Sequence, residues 1–295
     1  MGRAKTKSHI LMVVLLLIWT VDTYLVSAAE ESLHQIFLLC FKTICSLPVL
    51  VGFMALTEGL RLPKRKDLPL LACSSFLGNI LYFYLEYTAF KYLPVSLVMV
   101  LLGIMPVVSY LVECVRTRRA PLPVVLLAAL LSVLGLALVV WDSPETGRGT
   151  AIGCGCGLLC VVVWIVYGYV VRRLDRAYST AAITLYESVI ASVLMLPMAL
   201  CHMPAVLSTQ NLWVSIVLMG LVATGFGYLI EVRGLIELGT TVSGIYVNFL
   251  PVFTAVAGYL FFGQPMTLLQ LAGSALVILC GLFVILRVPE AAETA

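Results

Sequence analysis

Ten stretches of about 20 mostly apolar residues, separated by short charged or turn-forming connections, account for nearly the whole chain. At 1.5 Å per residue such a stretch crosses about 30 Å of hydrocarbon. Hydrocarbon offers no water to backbone N–H and C=O groups, so each stretch must satisfy them internally as a helix. The spans fall at 9–29, 33–56, 68–90, 94–115, 121–141, 150–171, 180–201, 211–234, 240–262 and 268–286. With 62% apolar and 11% charged residues, the chain lacks the charged surface of a soluble protein of 295 residues. The expected fold is therefore an all-α integral membrane protein of ten transmembrane helices. The first span, with basic residues before it and Val26-Ser27-Ala28 behind it, has features of a signal peptide. Its length, and the recurrence of Trp19 and Tyr24 later in the chain, make it the first retained helix. A Met1-Gly2 and Thr6 match to a myristoylation pattern adds nothing to a chain with ten spans.

Residues 85–106, LEYTAFKYLPVSLVMVLLGIMP, return 145 positions later as IEVRGLIELGTTVSGIYVNFLP. Glu86 falls on Glu231, Leu93 on Leu238 and Pro106 on Pro251. The same offset carries Trp19 to Trp164, Tyr24 to Tyr169 and Lys42 to Glu187. Charge gives an independent check. Fourteen Lys and Arg residues lie in the tails and the connections of one side, against Lys91 and Arg148 on the other. By the positive-inside rule both termini are cytoplasmic, in a chain expected in the cell membrane. A unit of five helices enters its second copy upside down, and the loops follow: the basic run Arg61 to Lys66 corresponds to the uncharged Ser208-Thr-Gln-Asn. The expected organisation is a basic tail at 1–8, a first five-helix repeat at 9–145, a second, inverted repeat at 146–288 and a tail at 289–295.

The paired five-helix units, the WT and WI steps in the first helix of each half, YFYLEYTAFKYLPVSLVMVLLGIMP and the closing GQPMTLLQLAGSALVILCGLFVIL resemble the EamA-type carriers of the drug/metabolite transporter superfamily. The resemblance covers almost the entire chain. It implies transport, usually outward, of a small metabolite such as an amino acid. Two places depart from the family pattern: Gln264 stands where an acidic residue is common, and the equivalent loop of the first half reads Arg118-Arg119-Ala-Pro. Inverted repeats by themselves also point to alternating access around a site near the midplane. A lipid flippase of the same fold is the alternative.

Ionisable residues at membrane depth carry the most information, because each costs several kcal/mol unless it is paired or reaches water. Asp22 and Lys42 lie at matching depths in consecutive helices, which makes them an ion pair, structural before it is a substrate contact. Glu187 takes the Lys42 position in the second half and faces Tyr167 where an acid would stand; Arg233 or substrate is left to compensate it. Glu86 and Glu231 either snorkel to the interface or bind a proton or an amine. Trp19, Trp164, Tyr24, Tyr82, Tyr84, Tyr169, Tyr246 and Asn248 are candidates for the lining. Pro106 and Pro251, in mid-helix, free the carbonyls of Leu102 and Val247 for a hinge, a kink or a cavity wall. Gly149, Gly153 and Gly157 form a close-packing face. The nine cysteines read as packing residues. No metal-ligand or catalytic spacing stands out around the three histidines, so the chain is not read as an enzyme, and neither metal, cofactor nor nucleic acid is expected. The partners are the bilayer and a small-molecule substrate; oligomeric state is left open. Topology is directly testable: reporters fused after Arg65 and Arg119 are expected in the cytoplasm and those at Glu31 and Glu145 outside, and the reverse at Arg119 and Glu145 overturns the inverted repeat.

Overall fold

Described in a computed structural model are residues 2–141, 148–204, 210–238, 240–264 and 266–287. The ten spans are α1 (Gly2–Ala29), α2 (Gln35–Thr57), α3 (Leu68–Ser75, Phe76–Leu81 and Tyr82–Phe90), α4 (Val95–Leu102 and Met105–Thr117) and α5 (Pro123–Trp141). The second half supplies α6 (Arg148–Leu174), α7 (Thr180–Cys201), α8 (Gln210–Leu218, Met219–Phe226 and Gly227–Leu238), α9 (Thr240–Asn248 and Leu250–Phe261) and α10 (Leu268–Arg287). Among the described residues, nine helices are long and apolar enough to cross a membrane, and a shorter apolar one completes the ten. The basic segment expected as a separate tail continues α1 back to Gly2.

Two backbone devices occur once in each half. The middle of α3 and of α8 opens into a π-helical stretch, Phe76–Leu81 and Met219–Phe226. Such widened turns leave backbone groups for partners outside the helix. The second device corrects the expectation for the prolines. Pro106 and Pro251 do not sit in mid-helix; α4 ends first at Gly103 and α9 ends first at Phe249, and each proline falls in the opening turn of the next piece. There the absent N–H removes no helical hydrogen bond, and the fixed φ suits the start of a helix. Ile104 (φ −75°, ψ −12°) and Phe249 (φ −85°, ψ −8°), 145 positions apart, make equivalent turns. Mid-helix prolines are found instead at Pro48 in α2 and Pro197 in α7.

The halves interlock, since the main contacts run between repeats: α2 on α7, α5 on α10, α1 on α8, α3 on α6 and α4 on α9. Equivalent contacts come in pairs. Tyr24 on α1 donates to the Thr254 carbonyl on α9 (2.8 Å), and Tyr169 on α6 donates to Glu113 on α4 (2.6 Å). Gly153 and Gly157 press α6 against Leu93 and Leu101, and Gly149 lies against Tyr92. The tightest crossing is that of α5 with α10, where Gly135 and Gly273 face each other. A Cβ on Gly135 would stand 2.7 Å from the Gly273 oxygen, and one on Gly273 would stand 2.5 Å from the Gly135 oxygen.

These obstacles are backbone atoms, which move only if the helices separate. Gly135→Ala and Gly273→Ala are therefore each expected to destabilise the purified protein by about 1–3 kcal/mol. Gly155→Ala, where a Cβ meets nothing within 4 Å, is expected to be neutral or stabilising by up to about 1 kcal/mol. Thermal unfolding in detergent separates the two outcomes.

Candidate functional site

Lys42 lies seven residues into α2 and Asp22 seven residues before the end of α1, each about 10 Å from the α1–α2 end of the bundle. Equal depth brings them into contact: Lys42 Nζ lies 2.5 Å from Asp22 Oδ2, with 6% and 13% of the two side chains exposed. The Tyr87 hydroxyl is the second acceptor of Lys42, at 3.4 Å. Glu86, one residue before Tyr87, is buried and accepts from the Tyr82 hydroxyl at 3.3 Å. Protein packs around it, so it does not reach the interface as a snorkelling side chain would. Nearer the bundle end, Glu30 has a side chain only 3% exposed, with Lys91 at 3.9 Å, and neither carboxylate oxygen has a hydrogen-bond partner. Burial pushes its carboxyl up to about 8, with Lys91 pulling it down and Glu86 adding to the rise.

The second half repeats this geometry with different chemistry. Glu187 lies seven residues into α7 and is 2% exposed. Tyr167, in the position equivalent to Asp22, donates to its Oε2 at 3.0 Å, and Asn79 donates to the same oxygen at 3.4 Å. Ser74 stands alongside, but its hydroxyl is directed to the Leu71 carbonyl at 3.1 Å, and Oε1 of Glu187 has no hydrogen-bond partner. Asn79 comes from the π-helical stretch of α3, and Ser75, just before it, donates to the Glu187 carbonyl at 2.7 Å. In the mirrored place Gly220 of α8 approaches the Lys42 carbonyl so closely that a Cβ would stand 2.5 Å from it. Each widened turn is thus wedged against the backbone of the ionisable residue in the other repeat. Glu231 is half-buried on α8 and has no hydrogen-bond or ionic partner among the described residues. Arg233 does not compensate Glu187: it pairs with Glu237 at 3.0 Å, with half its side chain exposed.

Aromatic rings link Glu86 and Glu187, since Tyr82 and Tyr167, which donate to them, both pack on Trp164. Trp164 is tilted against both Tyr82 and Tyr167, with centroids 5.1 Å apart in each case. Its counterpart Trp19 donates to the Ala223 carbonyl in the π-helical stretch of α8 at 3.4 Å and covers Gly227. Tyr228, which the sequence did not single out, lies within electrostatic reach of Glu231, Glu187, Glu86 and Asp22. The repeat offset hid it, because its equivalent is Phe83. The available signal was its place one turn before Glu231, as Tyr82 stands one turn before Glu86.

Other candidates lie elsewhere. Tyr246 meets His9 Nδ1 at 2.9 Å, roughly 20 Å along α1 from Asp22. Asn248 donates to the Ile278 carbonyl at 3.1 Å and holds α9 to α10. Tyr24 and Tyr169 join helices, and Tyr84 is exposed on the bundle surface. Pro106 and Pro251 belong to the helix turns described above. A cleft of about 600 Å³ between α1 and α9, lined by Leu17, Thr20, Tyr24, Phe253 and Phe261 among others, contains none of the ionisable residues.

Comparison with known proteins gives a match to the EamA-like transporter family over residues 6–141 and again over 151–287. The threonine/homoserine exporter RhtA of Escherichia coli K12 is 26% identical over 224 residues, covering 74% of this chain and 71% of RhtA. The uncharacterized transporter YyaM of Bacillus subtilis is 24% identical, covering 82% of each chain. An uncharacterized transporter of Archaeoglobus fulgidus is 21% identical, covering 86% of this chain and 89% of its own. A protein crystal structure superposes with a TM-score of 0.64 at 16% identity, covering 92% of this chain and 98% of that one, which is a likeness of fold.

The contact between Asp22 and Lys42 predicts a specific mutational pattern. Asp22→Asn or Lys42→Met alone leaves a charge buried without its partner and is expected to cost about 3–5 kcal/mol. The double variant is expected to recover about 0.5–3 kcal/mol relative to the sum of the single losses. Folded yield and thermal stability of the four proteins read this directly, and additive losses would mean that the two side chains act independently.

Proposed function

Because the chain belongs to the EamA-like transporter family, we propose that it is a secondary transporter exporting a small metabolite across the cell membrane by alternating access, with both termini in the cytoplasm. The observation that carries this reading is the reciprocal contact of the two halves: α3 meets Glu187 of the second repeat through Ser75 and Asn79, and α8 meets Lys42 of the first through Gly220. A site shared between inverted repeats is exposed to opposite sides as the repeats exchange conformations. The turns at Ile104 and Phe249 and the widened stretches of α3 and α8 supply equivalent points of flexure in each half. The likeness to RhtA, a threonine/homoserine exporter, supports an amino acid or a related solute as cargo.

No GxxxxGK[ST] motif occurs in the sequence, so nucleotide hydrolysis through a P-loop is not part of the reading. Export is driven by the solute gradient, an exchanged solute or an ion. Among the ionisable residues, Glu187 is the proposed proton carrier: it is deeply buried, has no cation against it among the described residues, and is held by a hydroxyl and an amide. A flippase acting on lipid or a lipid-linked substrate is the alternative; the apolar cleft between α1 and α9 favours it by giving an acyl chain a place to lie.

Cells overproducing the chain are expected to release at least one small metabolite several-fold above an empty-vector control. In vesicles with an imposed pH gradient, the parent is expected to show gradient-driven flux of that metabolite and Glu187→Gln to lose the pH dependence. Flux of long-chain lipid without flux of small solutes would replace export by the flippase reading. Unchanged pH dependence in the Gln variant would remove Glu187 from coupling.

A further inference from the structure

Where α4 of the first repeat and α6 of the second end on the same side of the bundle, six arginines gather. Arg116, Arg118 and Arg119 stand at one helix end and Arg172, Arg173 and Arg176 at the other, all exposed. The two ends meet at Tyr169. Its hydroxyl donates to Glu113 at 2.6 Å, and the guanidinium carbons of Arg116 and Arg172 lie 5.1 and 5.3 Å from the centre of its ring. The quadrupole of one ring thus holds a cation from each repeat.

This charge is not neutralised within the protein. Glu113 gives its carboxylate to Arg116, at 2.5 and 3.2 Å, and Arg172 stays 4.0 Å away without a hydrogen bond. Asp175, three residues beyond Arg172, acts on it through space without forming an ion pair. Among the described residues, the side chains of Arg118, Arg119, Arg173 and Arg176 have no hydrogen-bond or ionic partner. Membrane orientation requires an excess of positive charge in the loops. It does not require arginines of different repeats to meet at one ring. Nor does it require Arg118 to adopt a left-handed backbone (φ 54°), which its repeat equivalent Gly263 (φ 60°) takes without a steric cost.

Depth and surroundings specify what covers the patch. Arg116 and Arg172 directly follow the apolar spans 94–115 and 150–171, which places their guanidinium groups at the level of phospholipid headgroups. On α4, Val112 and Val115, just before Arg116, are 36% and 79% exposed. A molecule with a phosphate at one level and hydrocarbon at the next matches both, and guanidinium forks suit phosphate oxygens in geometry as well as charge. A free phosphate would leave Val112 and Val115 uncovered.

We infer that the ends of α4 and α6 form a binding site for an anionic phospholipid, its headgroup phosphate held by arginines of both repeats and its chains lying along α4 below Arg116. The bound lipid ties the two halves together at this end. Assignment to the cytoplasmic leaflet rests on the proposed orientation, whereas binding is a property of the patch. A reporter after Arg119 found outside would move the site to the other leaflet without touching its chemistry.

Native mass spectrometry of the full-length protein in detergent provides the test, with dioleoyl phosphatidylglycerol, phosphatidylcholine of the same chains and glycerol 3-phosphate as probes. The parent is expected to bind phosphatidylglycerol at least tenfold more tightly than either other probe. One cation near an anionic headgroup is worth about fivefold in binding. Arg119→Gln/Arg173→Gln, which removes one partnerless arginine from each repeat, is therefore expected to weaken phosphatidylglycerol binding at least tenfold. Lys7→Gln/Lys66→Gln, an equal loss of exposed charge elsewhere, is expected to change it less than twofold. Phosphatidylcholine bound as tightly as phosphatidylglycerol overturns the inference, as does an equal loss in both double variants, which would mean diffuse attraction. Glycerol 3-phosphate bound as tightly as the lipid replaces the lipid site by one for a soluble anion. Elution and thermal unfolding check the variants; if one misfolds, the ranking of the three probes on the parent still decides. Absence of solute flux in proteoliposomes would remove the transport reading and leave the lipid site standing.

Discussion

A carboxylate in hydrocarbon must find a cation, hydrogen-bond donors or water, and the interior of this protein is arranged around five that meet the requirement differently. Asp22 meets it with charge, through Lys42 at 2.5 Å. Glu187 meets it with donors, the Tyr167 hydroxyl and the Asn79 amide, and leaves one oxygen open. Glu86 takes the Tyr82 hydroxyl at 3.3 Å. Glu30 has only Lys91, at the limit of an ion pair, and burial holds its carboxyl at about 8. Glu231 has no hydrogen-bond or ionic partner among the described residues and is half-buried on α8.

The scaffold holding these groups is symmetric in its backbone and asymmetric in its side chains. Widened turns at 76–81 and 219–226 and helix turns at Ile104 and Phe249 recur at the repeat offset. Each widened turn presses on the carbonyl of the ionisable residue in the opposite repeat, through the Ser75 hydroxyl at Glu187 and through the bare backbone of Gly220 at Lys42. The two wedges therefore reach equivalent places in the two halves. The side chains break that equivalence, with Lys42 and Asp22 opposite Glu187 and Tyr167. An identical frame therefore presents a neutralised pair at one depth and an unneutralised acid at the other.

Membrane spans, their number and the inversion of the repeat were legible in the sequence because they follow from segment length, loop charge and a constant offset, all properties of the linear chain. The contact between Asp22 and Lys42 was legible for a related reason: consecutive antiparallel helices place residues equally far from their shared turn at equal depth. Pro106 and Pro251 announced an interruption of their helices without locating it. The chain turns two residues earlier, at Ile104 and Phe249, where the proline ring's clash with the preceding turn is avoided. Nothing in the residues around Gly78 or Gly225 distinguishes a π-helical turn from an α-helical one, since the apolar pattern is continuous through both.

What remained for the tertiary structure was which polar groups meet. Tyr246 and Asn248 carry the same chemistry as Tyr82 and Asn79, yet they contact His9 and the Ile278 carbonyl, because the piece of α9 before its turn packs on α1 and α10. Tyr228 comes within electrostatic reach of the carboxylates although its repeat partner is a phenylalanine, and Arg233 pairs with Glu237. Periodicity and charge bias along the chain determined that it would cross the membrane ten times as two inverted halves. Only the packing of α1, α3, α6, α7 and α8 against one another decided which carboxylates share a space and which keep a partner, since a side chain's azimuth around a helix acquires meaning only when a neighbouring helix is present.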